Sequence, residues 1–240
     1  MGLSVTVLGR CGSYPGPGGA CSGYLVRGAG ATVWVDAGSG TLANLQRHAA
    51  LDAVDAVVLS HEHPDHWTDI EGFRVACSYV LGIGGVPVYA PAGLRERAYD
   101  LGPALDWQVV EDGDAVDVKG LRLSFSRTDH PPETLAVRAD GDGRSLGYSA
   151  DTGPGWSFEA LGRDLDLALC EATFDMENEG RTEGHLSTGQ AGAMAQAAGA
   201  RRLVITHLWP IFDVERLRDE ATVTYGAPVE VATEHEEYDL

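Results

Sequence analysis

The sequence predicts an α/β domain. The order of its elements suggests two β-sheets packed face to face with helices on both outer faces, which periodicity alone does not distinguish from other α/β folds. Three observations point there. Short apolar runs of strand character are followed by segments of helical periodicity, and the whole series then occurs again further along the chain. The 240 residues contain no linker or low-complexity stretch, a length that suits one large domain spanning 1–240. Several strand-like runs also end in His or Asp, the arrangement in which loops carry chemistry on a rigid scaffold.

The expected strands are 3–9, 22–27, 32–36, 54–59, 86–90, 115–118, 121–127, 134–139, 144–149, 165–170, 202–206 and 229–232. The run at 54–59 is rich in Val and reads as a buried strand. The expected helices are 40–49, 67–80, 92–100, 156–162, 187–199 and 213–224. In the second of these, Ile70, Phe73, Val75 and Tyr79 recur at helical spacing and Gly82 supplies a stop. The tail, Glu234 to Leu240, reads as a solvated acidic end, and His48 as a helix-end residue with no catalytic role.

Between the strand at 54–59 and the helix at 67–80 the chain reads His61-Glu62-His63-Pro64-Asp65-His66. Four potential metal ligands, His61, His63, Asp65 and His66, fall within this loop. Packed together, three imidazoles raise one another's cost of charging unless a cation lies between them. In a loop these side chains can splay around a point, whereas on a strand alternate residues would diverge. His61 and His63 form one pair and Asp65 and His66 another, which suits two adjacent metal positions. Three further candidates, His130, Asp151 and His207, each follow an apolar run.

Taken in order, the cluster, His130, Asp151 and His207 resemble the metallo-β-lactamase superfamily, from about Leu3 to about Val231. The resemblance implies an αββα four-layer sandwich. It implies one metal ion held by His61, His63 and His130, a second held by Asp65, His66 and His207, and Asp151 bridging the two. Imidazole and carboxylate ligands without thiolate suit zinc, with manganese and iron as alternatives. His63 stands where the di-iron redox branch of the superfamily has Glu, so that branch fits poorly.

Two more motifs narrow the resemblance. Cys170-Glu171-Ala172-Thr173-Phe174, followed by Gly184-His185-Leu186-Ser187-Thr188, is similar to ribonuclease Z and its phosphodiesterase relatives, as is the glycine-rich opening Leu8 to Pro15 with Cys21 to Leu25. In that branch the His185 position lies near the scissile phosphate and the Glu171 position holds it. A charged imidazole can protonate a leaving oxygen while a carboxylate orients it. The implied mechanism is attack by a metal-bridging hydroxide, with Asp65, His185 and Glu171 as catalytic residues.

The sequence departs from ribonuclease Z in three ways. Only 151 − 130 = 21 positions separate His130 from Asp151, enough for two strands and a turn but not for an arm that grips transfer RNA. After His207 the chain reads Leu208-Trp209-Pro210-Ile211-Phe212, without the Ser and Arg-Tyr pair that ribonuclease Z places there. With 17 Lys and Arg against 36 Asp and Glu, the net charge is −19, whereas a long polyanion needs a basic face. The chain is most similar to bacterial cyclic-nucleotide phosphodiesterase-type members, which implies a small phosphodiester substrate. The same metal centre is compatible with ester, lactone or thioester hydrolysis. A non-catalytic metal- or partner-binding module is the reading from another class, and such relatives typically lose ligands that this chain keeps.

The sequence has no 18-residue apolar stretch and no basic start typical of a signal peptide. Cys11, Cys21, Cys77 and Cys170 lack paired spacing, which predicts reduced thiols and a cytoplasmic setting, with no membrane partner. Relatives of the ribonuclease Z type also imply a homodimer.

Overall fold

The computed structural model describes residues 2–98 and 102–240. Strands β1 (Ser4–Gly9), β2 (Gly23–Gly28), β3 (Ala31–Val35), β4 (Ala56–Val58), β5 (Val86–Ala90) and β6 (Leu105–Val109) make the first sheet with the C-terminal strand β14 (Glu237–Asp239). Its order is β14-β1-β2-β3-β4-β5-β6. The second sheet takes β7 (Ala115–Val118), β8 (Leu121–Arg127), β9 (Leu135–Gly141), β10 (Arg144–Tyr148), β11 (Leu167–Glu171), β12 (Leu203–Thr206) and β13 (Glu230–Val231). Its order is the reverse of the chain order, β13 to β7.

Each sheet is antiparallel at its start in the chain and parallel towards its end. β3, β4, β5 and β6 pair in parallel, and so do β10, β11, β12 and β13. Parallel strands need crossovers, and the crossovers supply the outer helices. Helices α1 (Thr41–Leu45), α2 (Ile70–Val75) and α3 (Ala92–Arg97) cover the first sheet. Helices α4 (Thr188–Ala197) and α5 (Val214–Tyr225) cover the second.

Alternation along the strands divides the apolar residues between two faces. Val5, Tyr24, Val26, Val33 and Val35 point into the space between the sheets, where they meet Val137, Leu146, Tyr148, Leu167 and Leu169. Leu8, Leu25 and Trp34 point outward onto Leu45, Ile70 and Phe73. Ala168, Cys170 and Ile205 point outward onto Ala191, Ala195, Leu217 and Ala221. Strands buried on both faces read as continuous apolar runs, which is why most were predictable. The four-layer αββα arrangement expected from the resemblance is the observed one.

Several boundaries differ from expectation. The predicted helix 40–49 shortens to α1, which turns back at Gln46. The segment 67–80 becomes helical only at Ile70, continues as a π-helical turn over Ala76–Leu81, and stops at Gly82 with φ 64°. The predicted helix 156–162 is one 3-10 turn, Phe158–Ala160. Positions 99 and 100 of the predicted helix 92–100 lie outside the described residues.

Two strands were not foreseen. β6 is an edge strand whose Asp106, Gln108 and Val109 are not buried, so it lacks an apolar run. The acidic tail is not a free solvated end. Its β14 pairs antiparallel with β1, Tyr238 is buried, and His235 stacks on His48. Its charges face outward while one aromatic carries the packing, a pattern that composition alone hides.

Between His130 and Asp151 the chain is consumed by β9, a two-residue turn and β10, with no inserted arm. All four cysteines are free and buried. No helix among the described residues is long and apolar enough to cross a membrane.

Candidate metal centre

The functional candidates collect at one end of the sandwich because parallel strands in both sheets deliver their carboxyl ends there. Asp36 follows β3, the His61–His66 loop follows β4, Asp151 follows β10, and His207 follows β12. Ridges of unusual backbone mark these exits: Asp36, Ala150 and His207 have φ of 55°, 51° and 54°. Non-glycine residues hold such angles only where the surroundings dictate them.

Three overlapping groups of donor atoms form, each within 4.8 Å: His61, His63, His130 and Asp151, then Asp65, His66 and His207, and last Asp151, His185 and His207. In the first, His63 Nδ1 lies 3.1 Å from both His61 Nε2 and His130 Nε2. Asp151 Oδ2 is 3.5 Å from His61 Nε2 and 3.9 Å from His130 Nε2. In the second, Asp65 Oδ2 is 3.5 Å from His66 Nε2 and 3.3 Å from His207 Nε2. Asp151 Oδ1 turns to this group, at 3.2 Å from His66 Nε2 and 3.3 Å from His207 Nε2. One carboxylate therefore faces the first two groups with different oxygens.

The outer nitrogen of four of these rings is occupied. His130 Nδ1 donates to the Gly184 carbonyl at 2.7 Å and His66 Nδ1 to Asp36 Oδ2 at 2.7 Å. His61 Nδ1 meets Ser60 Oγ at 3.0 Å and His207 Nδ1 meets Thr173 Oγ1 at 2.8 Å. Such partners fix ring orientation and raise ligand basicity. The inner nitrogens then converge on the centre. His66 Nε2 and Asp151 Oδ1 are buried there without a hydrogen-bond partner. Buried polar atoms are ordinarily satisfied. A divalent cation satisfies them, so the residues present fit a metal ion, and imidazole with carboxylate suits zinc, manganese or iron.

The electrostatics differ between the groups. Burial, then the neighbouring His66 charge, holds His61 well below the usual imidazole range. Burial also lowers His63 and His130. Burial opposes charge on His66 too, but Asp151, Asp65 and Asp36 outweigh it and raise His66 well above the usual range. Asp65 and Asp151 stay ionised despite burial because imidazoles face them.

The Glu171 and His185 positions meet beside this centre. Glu171 is fully buried and accepts from the backbone N–H of Thr152 at 3.0 Å, from that of Thr173 at 3.0 Å and from the Thr173 hydroxyl at 2.8 Å. His185 Nδ1 lies 3.0 Å from Glu171 Oε1 and 4.0 Å from Asp151 Oδ2. Its ring stacks on His207, with centroids 5.6 Å apart. Burial resists its charge, but Glu171 prevails and raises it to about 9.

Every site residue expected from the sequence lies in this cluster. Sequence reasoning missed the residues that orient it: Asp36, Ser60, Thr173, Tyr148, Ser13 and the Gly184 carbonyl. Asp36 accepts from Ser60 N–H at 2.8 Å, from the Ser60 hydroxyl at 2.9 Å and from Tyr148 at 2.8 Å, besides His66. The signal was present, since Asp36 ends an apolar run as Asp151 does. Ser13 N–H donates to Asp65 Oδ2 at 2.7 Å, which brings the glycine-rich loop to the centre.

Residues 31–208 match the family model described as Beta-lactamase superfamily domain. The chain belongs to the metallo-β-lactamase superfamily. Within it, the chain is 32% identical over 237 residues to the probable metallo-hydrolase YhfI of Bacillus subtilis, covering 96% of this chain and 97% of that one. The crystal structure of the metallo-β-lactamase fold protein YhfI superposes with a TM-score of 0.93 at 28% identity, covering 99% of each chain. Ribonuclease Z of Myxococcus xanthus is 29% identical over 296 residues, covering 96% of this chain and 95% of its own. These relatives put the chain in the ribonuclease Z-like branch, and its membership makes it a metal-dependent hydrolase.

Proposed function

We propose that this superfamily member is a dinuclear phosphodiesterase acting on small or cyclic nucleotides. The observation that carries the reading is the Glu171–His185 pair set against Asp151 and His207. Ester and lactone hydrolysis also expel an alkoxide, so the pair weighs only moderately against those reactions. A diester has a poor alkoxide leaving group, and a positioned acid addresses it.

In this reading His61, His63 and His130 would hold one ion, Asp65, His66 and His207 would hold the other, and Asp151, which faces both groups, would serve both. Bound divalent ions, zinc by preference, supply neutralisation of phosphoryl charge and a water acidic enough to ionise near neutral pH. Asp65 takes the proton of the attacking water. His185 gives a proton from Nε2 to the leaving oxygen, and Glu171 keeps the ring oriented and charged. The uninterrupted β9–β10 hairpin and the net charge of −19 support a small substrate over transfer RNA. The buried free cysteines accord with a reducing cytoplasm.

The test is a substrate panel on zinc-loaded protein: cyclic AMP, a lactone, a thioester and a precursor transfer RNA. Hydrolysis of the cyclic nucleotide to the monophosphate is expected to dominate. Faster opening of the lactone or thioester, or efficient cleavage of the RNA, would sink the reading.

A further inference from the structure

Beside the centre lies a cleft of about 350 Å³ that none of the chemistry above uses. One wall is the glycine-rich loop, Gly16 to Gly19, and the other is the segment Leu208 to Val214. Both walls start at the candidate metal centre. Ser13, which donates to Asp65, opens the loop, and His207 precedes the segment. Trp209 ties the two together, its indole N–H donating to Ser13 Oγ at 3.0 Å. The cleft therefore begins one side chain away from the donor atoms.

Its lining has the chemistry of a base-binding site. Trp209 and Phe212 contribute aromatic rings lying nearly parallel, 7° apart with centroids 6.0 Å apart. Trp209 is already engaged by Arg181 over its ring at 5.3 Å and by Phe174 at 5.0 Å, which leaves Phe212 as the open stacking surface. Glu234 offers carboxylate oxygens that accept from Ala20 N–H at 2.7 Å and Asn44 Nδ2 at 3.3 Å, with lone pairs to spare. Arg10 lines the cleft and spends one N–H on the Ala232 carbonyl at 2.8 Å, with no carboxylate partner among the described residues. The lining is thus mixed, with polar groups and aromatic or aliphatic side chains exposed to the cleft in similar measure.

The glycines let the loop pack tightly at one end of the cleft. A Cβ on Gly16 would stand 2.8 Å from Pro210 Cβ, and one on Gly19 would stand 2.9 Å from Cys11 Sγ. The loop thus runs as close to Pro210 and Cys11 as a bare backbone allows.

We infer that this cleft takes the planar, amino-bearing base of the nucleotide whose phosphate lies at the His/Asp centre. The inference rests on the phosphodiesterase reading and adds what selects among phosphodiesters. The base stacks on Phe212 beside Trp209, its exocyclic amine donates to Glu234, and Arg10 offsets the negative field of the protein.

The experiment compares cyclic AMP with the base-free 1-O-methyl ribose cyclic phosphate, using the zinc-loaded full chain. A kcat/KM preference for the nucleotide of at least 10-fold is expected, since stacking of one base contributes roughly 1–3 kcal/mol. Val214→Trp, which fills the cleft, and Phe212→Ala should each cut that preference about 10-fold, mainly through KM. Adenosine, which has no phosphate, should bind by calorimetry to both wild type and His63→Ala, and more weakly to Val214→Trp. Equal rates on the two diesters, or no adenosine binding by wild type, would overturn the cleft assignment while leaving the phosphodiesterase reading standing. Hydrolysis of neither diester, with adenosine still bound and lost in Val214→Trp, would keep the cleft and overturn the phosphodiesterase reading.

Discussion

The two donor groups are built alike and charged differently. His61, His63 and His130 bring three imidazoles that burial holds neutral, and His63 is only half-buried. Asp65, His66 and His207 bring two imidazoles and a carboxylate, all buried, with Asp36 behind them. The first group thus offers neutral lone pairs near solvent. The second offers negative charge in a closed environment, anchored to the hydrogen-bonded Ser60–Asp36–Tyr148 set. Two positions of unequal charge and rigidity are expected to fill in sequence, the second group before the first. Only Asp151 belongs to both.

Asp151→Ala therefore has the largest expected effect. Metal analysis should find at most one ion per chain, and diester hydrolysis should be abolished; retention of two ions would contradict the shared-carboxylate geometry. His185→Ala should keep both ions and slow turnover about 10²–10⁴-fold if His185 is the acid. Full rate on an unactivated diester would remove that role.

Two milder changes separate the groups. Asp36→Asn takes the carboxylate from behind His66 and should weaken the second position about 10–100-fold in a metal titration, with a smaller effect on the first through Ser60 and His61. Gly184→Ala places a Cβ 2.7 Å from His130 Nδ1, at φ 79°, and should weaken the first position while sparing the second. If both variants acted mainly on the same ion, the two groups would not be independent positions.

The smallest effect lies away from the site and calibrates acid behaviour. Burial opposes ionisation of Asp166, but the Ser145 N–H, Arg144 and Arg201 outweigh it and lower its pKa. Its stabilisation is complete above the unfolded value of about 3.9 and is lost as pH falls through the lower folded value. Asp166→Asn should lower Tm at neutral pH, and the gap from wild type should close below about pH 4. Loss of activity at higher pH then belongs to the His/Asp centre and not to this part of the scaffold.

The fold was legible where both strand faces are apolar, as in Val33–Val35 or Leu203–Ile205. It was illegible at β6 and β14, where an edge strand needs only one buried face and Trp107 or Tyr238 provides it. The donor groups were legible because metal ligands crowd into a short loop and recur at strand ends. Their supports were not, because Asp36, Ser60 and Thr173 are ordinary polar residues whose role is set by distances across the fold. The glycine-rich loop was read as lying near the site, but how tightly its glycines pack appears only when their neighbours Pro210 and Cys11 are seen.

Each of the two donor groups draws on both sheets. His61, His63, Asp65 and His66 leave the first, while His130, Asp151 and His207 leave the second. Tyr148 reaches from the second sheet to Asp36 on the first. A cation held at this end would consequently act as a clasp across the sandwich, since its donors come together only when the halves are closed. By mass action, free metal at 100 times its Kd adds about 2.7 kcal/mol to folding stability. A bound ion would then add to what the apolar core between the sheets already supplies, and a chelator would act on the metal-loaded protein as a mild denaturant.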